Sequence, residues 1–382
     1  MKIIHIVPTY LPAVRYGGPI WSVHGLCKSL AALGNEVQVL TTNVDGQKDS
    51  NVPLNQSVDI DGVKVWYFPC PKLRRIYYSP DLSCALNSMI DHVDIIHLHS
   101  IFLWPTYIAS RIAIKSAKPY ILSPRGMLVK ELFFRRNYLI KTLWFNFIEK
   151  KTIAHCSGLH VTSELERIEL TKFAISKNKI INIPNGIDLP DNLELSKNSL
   201  VPENCQPYVL FVGRINWKKG LDCLIKAWSN ISDIHLIIAG NDEDGYQEQL
   251  ETLVKQLKLN KFIHFIGPLN DQSKWKMYAD AELFVLPSHS ENFGNVVLEA
   301  MIMECPVIVS PGVGLANVVS DCEAGLVIDN IPDLLAQGIN MLMDNSDLRK
   351  EMGSNGKQKI LNEFTWSIVS KKMESAYKEI LE

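Results

Sequence analysis

Residues 208–239 decide the fold and read YVLFVGRINWKKGLDCLIKAWSNISDIHLIIA. Tyr208–Val212 is an apolar run of strand length, Leu221–Trp228 has helical spacing, and His235–Ala239 is a second apolar run. Strands that alternate with helices predict a parallel sheet with helices on both faces. We therefore expect this part of the chain to be a doubly wound α/β domain.

The same alternation extends in both directions from this stretch. Downstream, the further predicted elements are Tyr246–Leu257, Phe262–Phe265, Leu283–Leu286, Asn295–Met303 and Val307–Ser310, with an almost wholly helical tail from about Ile331. Upstream, the predicted strands are Lys2–Val7, Val37–Thr41, Asp94–Leu98, Pro119–Leu122, Leu159–Thr162 and Lys179–Ile183. The predicted helices among them run from Gly17-Gly18-Pro19 to about Leu33 and from about Pro105 to Ser116.

Chain length predicts two domains, because 382 residues exceed the roughly 250–300 at which one hydrophobic core stops growing. The polar stretch 188–206 is typical of a linker. The expected organisation is a first domain at 1–187, a second at 207–363 and a final helix at 364–382. We expect two Rossmann-like domains facing a cleft, with ligands outside the carboxyl ends of the strands.

Composition excludes several classes of protein. The net charge of −2 gives no overall attraction to nucleic acid. The eight cysteines include no C-x-x-C pair, and no Cys/His cluster has the sequence spacing of a zinc site, so we expect thiols in a reducing compartment. The apolar run at the N-terminus is too short for a signal peptide, and no window is long enough to span a membrane. We expect a cytoplasmic protein.

The motif with the most chemical content is Glu291-Asn-Phe-Gly-Asn-Val-Val-Leu-Glu299. Glu291 lies in a predicted strand-to-helix loop, and Glu299 lies about one turn inside the following helix. Gly294 precedes the helix N-terminus, where backbone N–H groups bind anions and hydroxyls. The alternative interpretation is two ordinary solvated glutamates.

A second motif, Gly213-Arg214-Ile-Asn-Trp-Lys218-Lys219-Gly220, follows the strand Tyr208–Val212. Arginine and lysine at the carboxyl end of a strand suit a diphosphate, since Arg binds it bidentately and Lys as a point charge. A basic loop in water is the alternative.

Three weaker signals lie in the first half. Gly17-Gly18 allows close backbone approach to a phosphate, although a simple tight turn explains it as well. His97 and His99 share one face of a strand; we expect His97 to be structural and His99 to be the one that could reach the cleft. Arg125, before Gly126, is a better candidate for the cleft.

These motifs resemble glycosyltransferase family 4, which has the GT-B fold. Glu291 through Glu299 resembles its E-x7-E motif, and Gly213-Arg214 with Lys219-Gly220 resembles its donor-phosphate loop. Ile183-Pro-Asn-Gly-Ile-Asp188 is similar to its interdomain segment, and Gly17-Gly18 to its N-terminal glycine loop. The resemblance spans nearly the whole chain.

The resemblance implies a retaining transferase that needs no metal or other cofactor and uses a nucleotide sugar as donor. It implies that Arg214 and Lys219 hold the donor diphosphate, Glu291 lies near the transferred sugar and Glu299 binds the ribose hydroxyls. It also implies that the last helix crosses back to the first domain. The further donor-binding positions that it implies are Gly17, Gly18, Ile266, Phe293, Gly294, Asn295 and Val296.

One departure from the family concerns the first domain. Many relatives place a histidine in the acceptor-side loop, whereas the matching stretch here is Ser123-Pro124-Arg125-Gly126. Arginine stays protonated and cannot be a general base. Arg125 could bind the donor phosphate or an anionic acceptor, and His99 is the remaining candidate for a sugar or acceptor contact.

Two D-x-D sequences raise the question of a metal. Asp59-Ile-Asp61 lies in a predicted turn, where aspartate is common, and Asp242-Glu-Asp244 follows a strand end. Because two cations are available for the diphosphate, we expect no requirement for a divalent ion.

Residues 125–151 combine basic side chains with many aromatic and aliphatic ones. Such a helix can lie on an anionic membrane surface. The favoured alternative is a helix that packs its apolar face on the sheet.

The sequence does not fix the donor or the acceptor; we expect UDP rather than GDP or ADP, glucose as the sugar, and a saccharide or lipid-linked saccharide of polysaccharide assembly as acceptor. Two alternatives remain: a nucleotide-sugar epimerase of the same fold, and a sugar-binding protein without activity. A nicotinamide-dependent dehydrogenase is disfavoured because the G-x-G-x-x-G fingerprint is missing.

Overall fold

The computed structural model describes residues 1–129, 138–173, 180–190, 205–242, 245–269 and 271–382. Contacts divide the chain into two units. The first contains residues 1–186 and 366–382, and the second contains 187–365. Most of the predicted linker, residues 191–204, falls outside the described residues.

The first unit is built on a sheet whose described strands run in the order β10-β9-β8-β7-β1-β2-β6-β5. All neighbours are parallel except β5 and β6. The strands are β1 (Lys2–Ile6), β2 (Glu36–Thr42), β5 (Ser57–Ile60), β6 (Val63–Phe68), β7 (Ile95–His99), β8 (Tyr120–Ser123), β9 (Gly158–Val161) and β10 (Ile180–Asn182), with a separate hairpin of β3 (Val44–Asp45) and β4 (Lys48–Asp49). The helices are α1 (Gly18–Ala32), α2 (Pro80–Met89), α3 (Trp104–Lys115), α4 (Tyr138–Trp144), α5 (Lys150–His155), α6 (Glu164–Thr171) and α14 (Trp366–Leu381), with a π-helix at Phe145–Glu149.

Both faces of this sheet are buried, as expected for parallel strands with helices on each side. Successive side chains of β1 point to opposite faces, so Ile4 and Ile6 join one apolar cluster and Ile3 joins the other. β1 pairs with β2 and β7 in the centre of the sheet. The carboxyl ends of these strands therefore project side chains from one rigid edge.

The last helix, α14, belongs to the first unit because of how its first residue packs. The indole of Trp366 packs against two glycines. A Cβ added to Gly25 would lie 2.3 Å from the ring, and one added to Gly186 would lie 2.5 Å from it. Val369 and Met373 continue the contact in the same apolar cluster. Glycine at these two positions is what lets α14 close over the sheet.

The second unit has a six-stranded parallel sheet, within the described residues, in the order β13-β12-β11-β14-β15-β16. The strands are β11 (Tyr208–Val212), β12 (His235–Ala239), β13 (Ile263–Gly267), β14 (Leu283–Leu286), β15 (Val307–Val309) and β16 (Gly325–Val327). The helices are α7 (Leu221–Ala227), α8 (Tyr246–Gln256), α9 (Asp271–Asp280), α10 (Asn295–Ile302), α11 (Ala316–Asp321), α12 (Pro332–Met343) and α13 (Ser346–Glu363). Its core is continuous, with Leu210, Phe211 and Phe284 at its centre.

The sequence-based elements agree with these bounds to within one or two residues at most ends. The prediction omitted the hairpin of β5 and β6, although residues 57–68 alternate around Asp61-Gly62. It also omitted α2, α6, α9, α11, β16 and the hairpin of β3 and β4. β5 is antiparallel to β6, which departs from the all-parallel expectation at the edge of the sheet.

Candidate functional site

The second unit has a topological switch point between β11 and β14. From β11 the chain continues to β12 and β13 on one side of the sheet, and from β14 it continues to β15 and β16 on the other side. The connections after β11 and β14 therefore lead in opposite directions. Ligands of open α/β sheets bind in the crevice at such a point. The loop after β11 contains Lys219 and the loop after β14 contains Glu291, so the two strongest sequence motifs meet here.

The position of Lys219 is fixed by a short 3-10 helix, Trp217–Lys219. Asn216 caps it, accepting a hydrogen bond from the Lys218 N–H at 3.0 Å. Gly220 follows with φ of 65°, and a Cβ there would lie 2.1 Å from the carbonyl oxygen of Pro287. The loop therefore needs glycine at this position, and it leaves Lys219 only 9% exposed.

Glu291 is held by its backbone and by an ion pair. Its N–H donates to the carbonyl of Gly312 and its carbonyl accepts from the N–H of Gly314, both at 2.9 Å. The Glu291 carboxylate forms an ion pair with the Lys219 ammonium. A cation and a carboxylate from two different loops are thus coupled at the switch point.

The helix α10 begins next to this pair. Gly294 is its N-cap residue, with φ of 97° that favours glycine. Asn295 and Val296 form the first turn, whose N–H groups point out of the helix end. Phe293 is 4% exposed, so its side chain belongs to the core and only its backbone is available to a ligand.

Glu299 lies on the same helix and has partners that the sequence did not reveal. Its carboxylate accepts hydrogen bonds from the Lys274 ammonium and the Tyr278 hydroxyl, each at 3.0 Å. Tyr278 is buried, and both partners come from α9. Spacing alone does not place α9 against α10, so this contact arises only in the folded unit.

Arg214 and Ile266 lie at the same edge of the second sheet. Arg214 follows β11 directly and is exposed. The next residue, Ile215, anchors the loop through a hydrogen bond from its N–H to the carbonyl of Asn241 at 2.8 Å. Ile266 is half-buried near the carboxyl end of β13.

The first unit brings a separate group of the predicted residues to the carboxyl edge of its sheet. Gly17 caps α1 with φ of 69°, and Gly18 is the first residue of that helix. The loop that leads into α1 follows β1, which pairs with β7. This point is the switch point of the first sheet, since β2 lies on the other side of β1.

Arg125 follows β8 and adopts a strained backbone. Its φ is 56°, an uncommon value for a residue with a Cβ. One guanidinium nitrogen donates to Asn185 Oδ1 at 2.9 Å and the other to His99 Nδ1 at 3.2 Å. The N–H of Gly126 donates to the buried carboxylate of Glu166 at 2.7 Å, which holds the turn. Neither Asn185 nor Glu166 was among the predicted site residues.

Arg125 also fixes the protons of a histidine pair. A guanidinium only donates, so His99 Nδ1 accepts and His99 Nε2 carries the hydrogen. That nitrogen lies 2.9 Å from His5 Nδ1, which must accept. His5 then carries its hydrogen on Nε2, a buried atom without a hydrogen-bond partner in the described part of the chain.

A second chain of hydrogen bonds runs through His97. His160 Nε2 donates to the carbonyl of Ile183 at 2.8 Å, so its Nδ1 accepts from the Ser123 hydroxyl at 2.7 Å. Ser123 in turn accepts from His97 Nε2, and His97 Nδ1 accepts from the Tyr377 hydroxyl, each at 2.7 Å. The chain connects α14 to the sheet and confirms the structural role expected for His97.

All four of these histidines are kept neutral. Burial, with the positive charge of Arg125, lowers the pKa of His5 and of His160 to about 3. Burial also lowers the pKa of His97 and His99 well below the usual value. His5, His97 and His99 converge as metal ligands do, but the adjacent guanidinium opposes a cation there.

His99 does not lie where the sequence suggested. It is 1% exposed, and both of its nitrogens bond to protein groups. The alternation along β7 does place His97 and His99 on one face, with stacked rings 4.2 Å apart. That face is buried, so His99 lies behind Arg125 and supports it.

The described D-x-D aspartates have structural partners. Asp242 accepts a hydrogen bond at 2.9 Å from the N–H of Tyr246, the first residue of α8, while Asp244 lies outside the described residues. Asp59 accepts from the Gly62 N–H, and Asp61 pairs with His24 at 2.9 Å. Each of the three described aspartates therefore has a partner within the protein.

Two family descriptions match the chain, one for each half. Residues 16–190 match "Glycosyltransferase Family 4" and residues 193–359 match "Glycosyl transferases group 1". An uncharacterized glycosyltransferase of Methanocaldococcus jannaschii is 26% identical over 399 residues, covering 100% of this chain and 99% of that protein. The capsular polysaccharide biosynthesis glycosyltransferase CapM of Staphylococcus aureus is 27% identical over 253 residues, covering 62% of this chain and 65% of CapM.

The solved structure of Anabaena HepE in complex with UDP has the same fold. It is 18% identical to this chain, with a TM-score of 0.75, and the match covers 99% of this chain and 100% of HepE. HepE has also been solved with UDP-glucose. Among the described helices of this chain, none is both long enough and apolar enough to cross a membrane.

Proposed function

The chain belongs to glycosyltransferase family 4 and has the GT-B fold, and we propose that it transfers a hexose from a nucleotide diphosphate sugar to a saccharide or lipid-linked saccharide with retention of configuration. The donor that we favour is UDP-glucose. We further propose that the reaction needs no metal ion.

The observation that carries this proposal is the location of Lys219. Its ammonium lies at the switch point of the second sheet, largely withdrawn from water, where a low local dielectric strengthens its field. Arg214 follows the same strand. Two cations at this point are suited to the negative charge that grows on the leaving β-phosphate. Their presence supports transfer without a divalent ion.

The Lys219–Glu291 pair suggests how the sugar is held. The ion pair with Glu291 keeps Lys219 oriented, and we place the donor sugar beside Glu291. In the proposed step the bond from the anomeric carbon to the phosphate oxygen breaks as the acceptor hydroxyl attacks the same face. The proton of that hydroxyl passes to the leaving phosphate, so no side-chain base is required.

The choice of UDP rests on the relative HepE, whose structures contain UDP and UDP-glucose. In this chain, we assign the ribose hydroxyls to Glu299, which Lys274 and Tyr278 hold at a fixed angle. Ile266 would lie beside the base and the first turn of α10 beside the phosphates. In the first unit, Arg125 would bind an anionic group of the donor or acceptor, with Gly17 and Gly18 at a helix N-terminus.

A basic, apolar surface supports a membrane-bound acceptor. Leu139, Ile140, Leu143 and Phe147 are 59–76% exposed, and Lys141 lies among them. The expected packing on the sheet holds for Phe145, which is buried in an apolar cluster of the first unit, but not for these four side chains. Phe133, Phe134, Arg135 and Arg136, part of the same predicted segment, lie outside the described residues. We propose that this surface contacts anionic lipid headgroups.

The membrane proposal predicts binding to anionic vesicles. Cosedimentation at low salt should show binding to vesicles rich in phosphatidylglycerol and little binding to phosphatidylcholine. A Leu143→Ser/Phe147→Ser variant should bind about tenfold more weakly or worse, because each apolar side chain contributes about 1.5–3 kcal/mol when fully buried. Leu361→Ser, an exposed position on α13, is the matched control. Equal binding of all three proteins would refute the proposed surface.

The donor proposal is tested by thermal shift with UDP, GDP and ADP in the absence of magnesium. A ligand at 100 times its Kd stabilises the native state by about 2.7 kcal/mol, so UDP should raise Tm by several degrees. Arg214→Ala, Lys219→Met and Glu299→Gln should reduce this shift, while the surface variant Lys226→Met should keep it. No shift with any of the three nucleotides would remove the nucleotide-sugar assignment and favour the sugar-binding alternative.

A further inference from the structure

Three side chains with metal-binding atoms meet at the amino-terminal edge of the second sheet. Cys205 precedes β11, His235 is the first residue of β12, and His264 is the second residue of β13. β12 pairs with both β11 and β13, so neighbouring strands bring the three together. The loops with Lys219 and Glu291 follow the opposite ends of the strands, so this cluster is separate from the proposed donor site.

Two of the three distances between these atoms approach the edges of a metal tetrahedron, and all three atoms lie within 4.8 Å of one another. His264 Nε2 lies 3.5 Å from Cys205 Sγ and 3.0 Å from His235 Nδ1. With zinc bonds of about 2.3 Å to sulfur and about 2.0–2.1 Å to nitrogen, a tetrahedral site has an S···N distance of about 3.6 Å and an N···N distance of about 3.3 Å. The first distance agrees, and the second needs a shift of a few tenths of an ångström.

Hydrogen bonds alone cannot satisfy both contacts of the nitrogen at the centre of this cluster. A neutral imidazole nitrogen has either one hydrogen or one lone pair in the ring plane, yet His264 Nε2 lies near two partners.

The surroundings provide room and a negative charge. The cluster lines a surface cavity of about 370 Å³, which Asp233 and Lys261 also line. The Lys261 ammonium lies 5.4 Å from the centre of the Phe262 ring, where a cation–π contact accommodates it.

We propose that Cys205, His235 and His264 bind one transition-metal ion of the zinc class, with Asp233 or water as a fourth ligand. The Cys205 thiol gives up its proton to solvent when the metal binds, because the thiolate is the ligand. The ion ties the segment before β11 to β12 and β13. Its role is to stabilise the second unit, and it takes no part in sugar transfer.

The proposal is tested with cobalt(II), whose spectrum reports its ligands. The full-length protein, treated with chelator and titrated with cobalt, should bind one equivalent and develop thiolate-to-cobalt charge-transfer absorption with the visible bands of a tetrahedral site. Zinc should displace the cobalt and raise Tm. Cys205→Ala should abolish the charge-transfer band, and His264→Gln should weaken binding at least tenfold, the low end of the loss expected for disturbing a metal site.

Control variants separate this site from other thiols and from misfolding. Cys322→Ala changes a half-buried thiol elsewhere in the second unit and should leave the cobalt spectrum unchanged. The Tm increase with UDP should persist in Cys205→Ala, which would show that its fold is intact. Absence of a charge-transfer band in the unmodified protein, or an equal band in Cys205→Ala, would overturn the proposal.

Discussion

Replacing Lys219 with methionine is expected to lower kcat for sugar transfer by about 10²–10³, or about 2.7–4 kcal/mol, the range found when one preorganised donor to a developing anion is removed. Lys219 is 9% exposed and is held by the loop that Gly220 terminates. Its charge is therefore positioned before the reaction and needs little reorganisation. Methionine keeps much of the side-chain volume and removes only the charge.

The measurement is the release of UDP from UDP-glucose at saturating donor, with water as acceptor where no sugar acceptor is known. At saturating donor the rate reports kcat alone, so the weaker donor binding that the same variant should show does not affect the comparison. Lys226→Met removes a lysine that forms an exposed ion pair on α7 and should change kcat little.

A double variant tests the coupling between the two loops. Glu291→Gln alone should also lower kcat, because the ammonium of Lys219 loses its ionic partner. If the pair acts as a unit, Lys219→Met/Glu291→Gln should lose less than the product of the two single effects. A Lys219→Met enzyme within threefold of the unmodified rate would show that Lys219 does not stabilise the leaving phosphate.

Acidification to pH 5.5 is expected to destabilise the first unit by on the order of 5 kcal/mol. His5, His97, His99 and His160 are neutral when folded, because burial and Arg125 hold the pKa of each far below 6.5. The unfolded chain protonates them near pH 6.5. Four groups that each lose about 1.4 kcal/mol per pH unit below that value give this total.

The sign follows from the lowered pKa values. Stability from these groups is fully present above pH 6.5 and falls as the pH decreases, down to the folded pKa of about 3 for His5 and His160. Glu149 acts in the opposite direction, because burial raises its pKa. The stabilisation from this one carboxyl group is smaller than the combined loss from the four imidazoles, so the net effect is a loss of stability in acid.

The pH dependence is measured by urea unfolding at pH 7.5, 6.5 and 5.5, with hydrogen exchange of peptides from β7 reporting on the first unit separately. His160→Gln should reduce the slope of unfolding free energy against pH by about 1.4 kcal/mol per unit, one proton. His155→Gln, on the exposed end of α5, should leave the slope as it is. Stability that is flat from pH 7.5 to 5.5 would show that the histidines are not kept neutral by the fold.

The sequence located most of the secondary structure because apolar runs and glycines mark it locally. Tyr208–Val212, His235–Ala239 and Leu283–Leu286 are continuous apolar runs of strand length, and their bounds agree with the structure. The hairpin of β5 and β6 was omitted although Asp61-Gly62 marks its turn. At this edge of the sheet the side chains alternate, and the pattern is weaker than in a buried parallel strand.

The sequence by itself indicated the family, the mainly parallel sheets and the segments that contain Arg214, Lys219, Glu291 and Glu299, since each depends on neighbours along the chain. Tertiary structure decided which side chains meet. It joined Lys219 to Glu291 and Glu299 to Lys274 and Tyr278, because strand order and helix packing bring distant loops together.

Burial was likewise a tertiary outcome. Alternation along β7 placed His97 and His99 on one face, but only the packing of α14 and Arg125 made that face inaccessible and fixed its protons. The sequence showed no zinc spacing, yet three adjacent strands bring Cys205, His235 and His264 within ligand distance. Spacing along the chain reports only local contacts, whereas a parallel sheet aligns strand ends that are tens of residues apart.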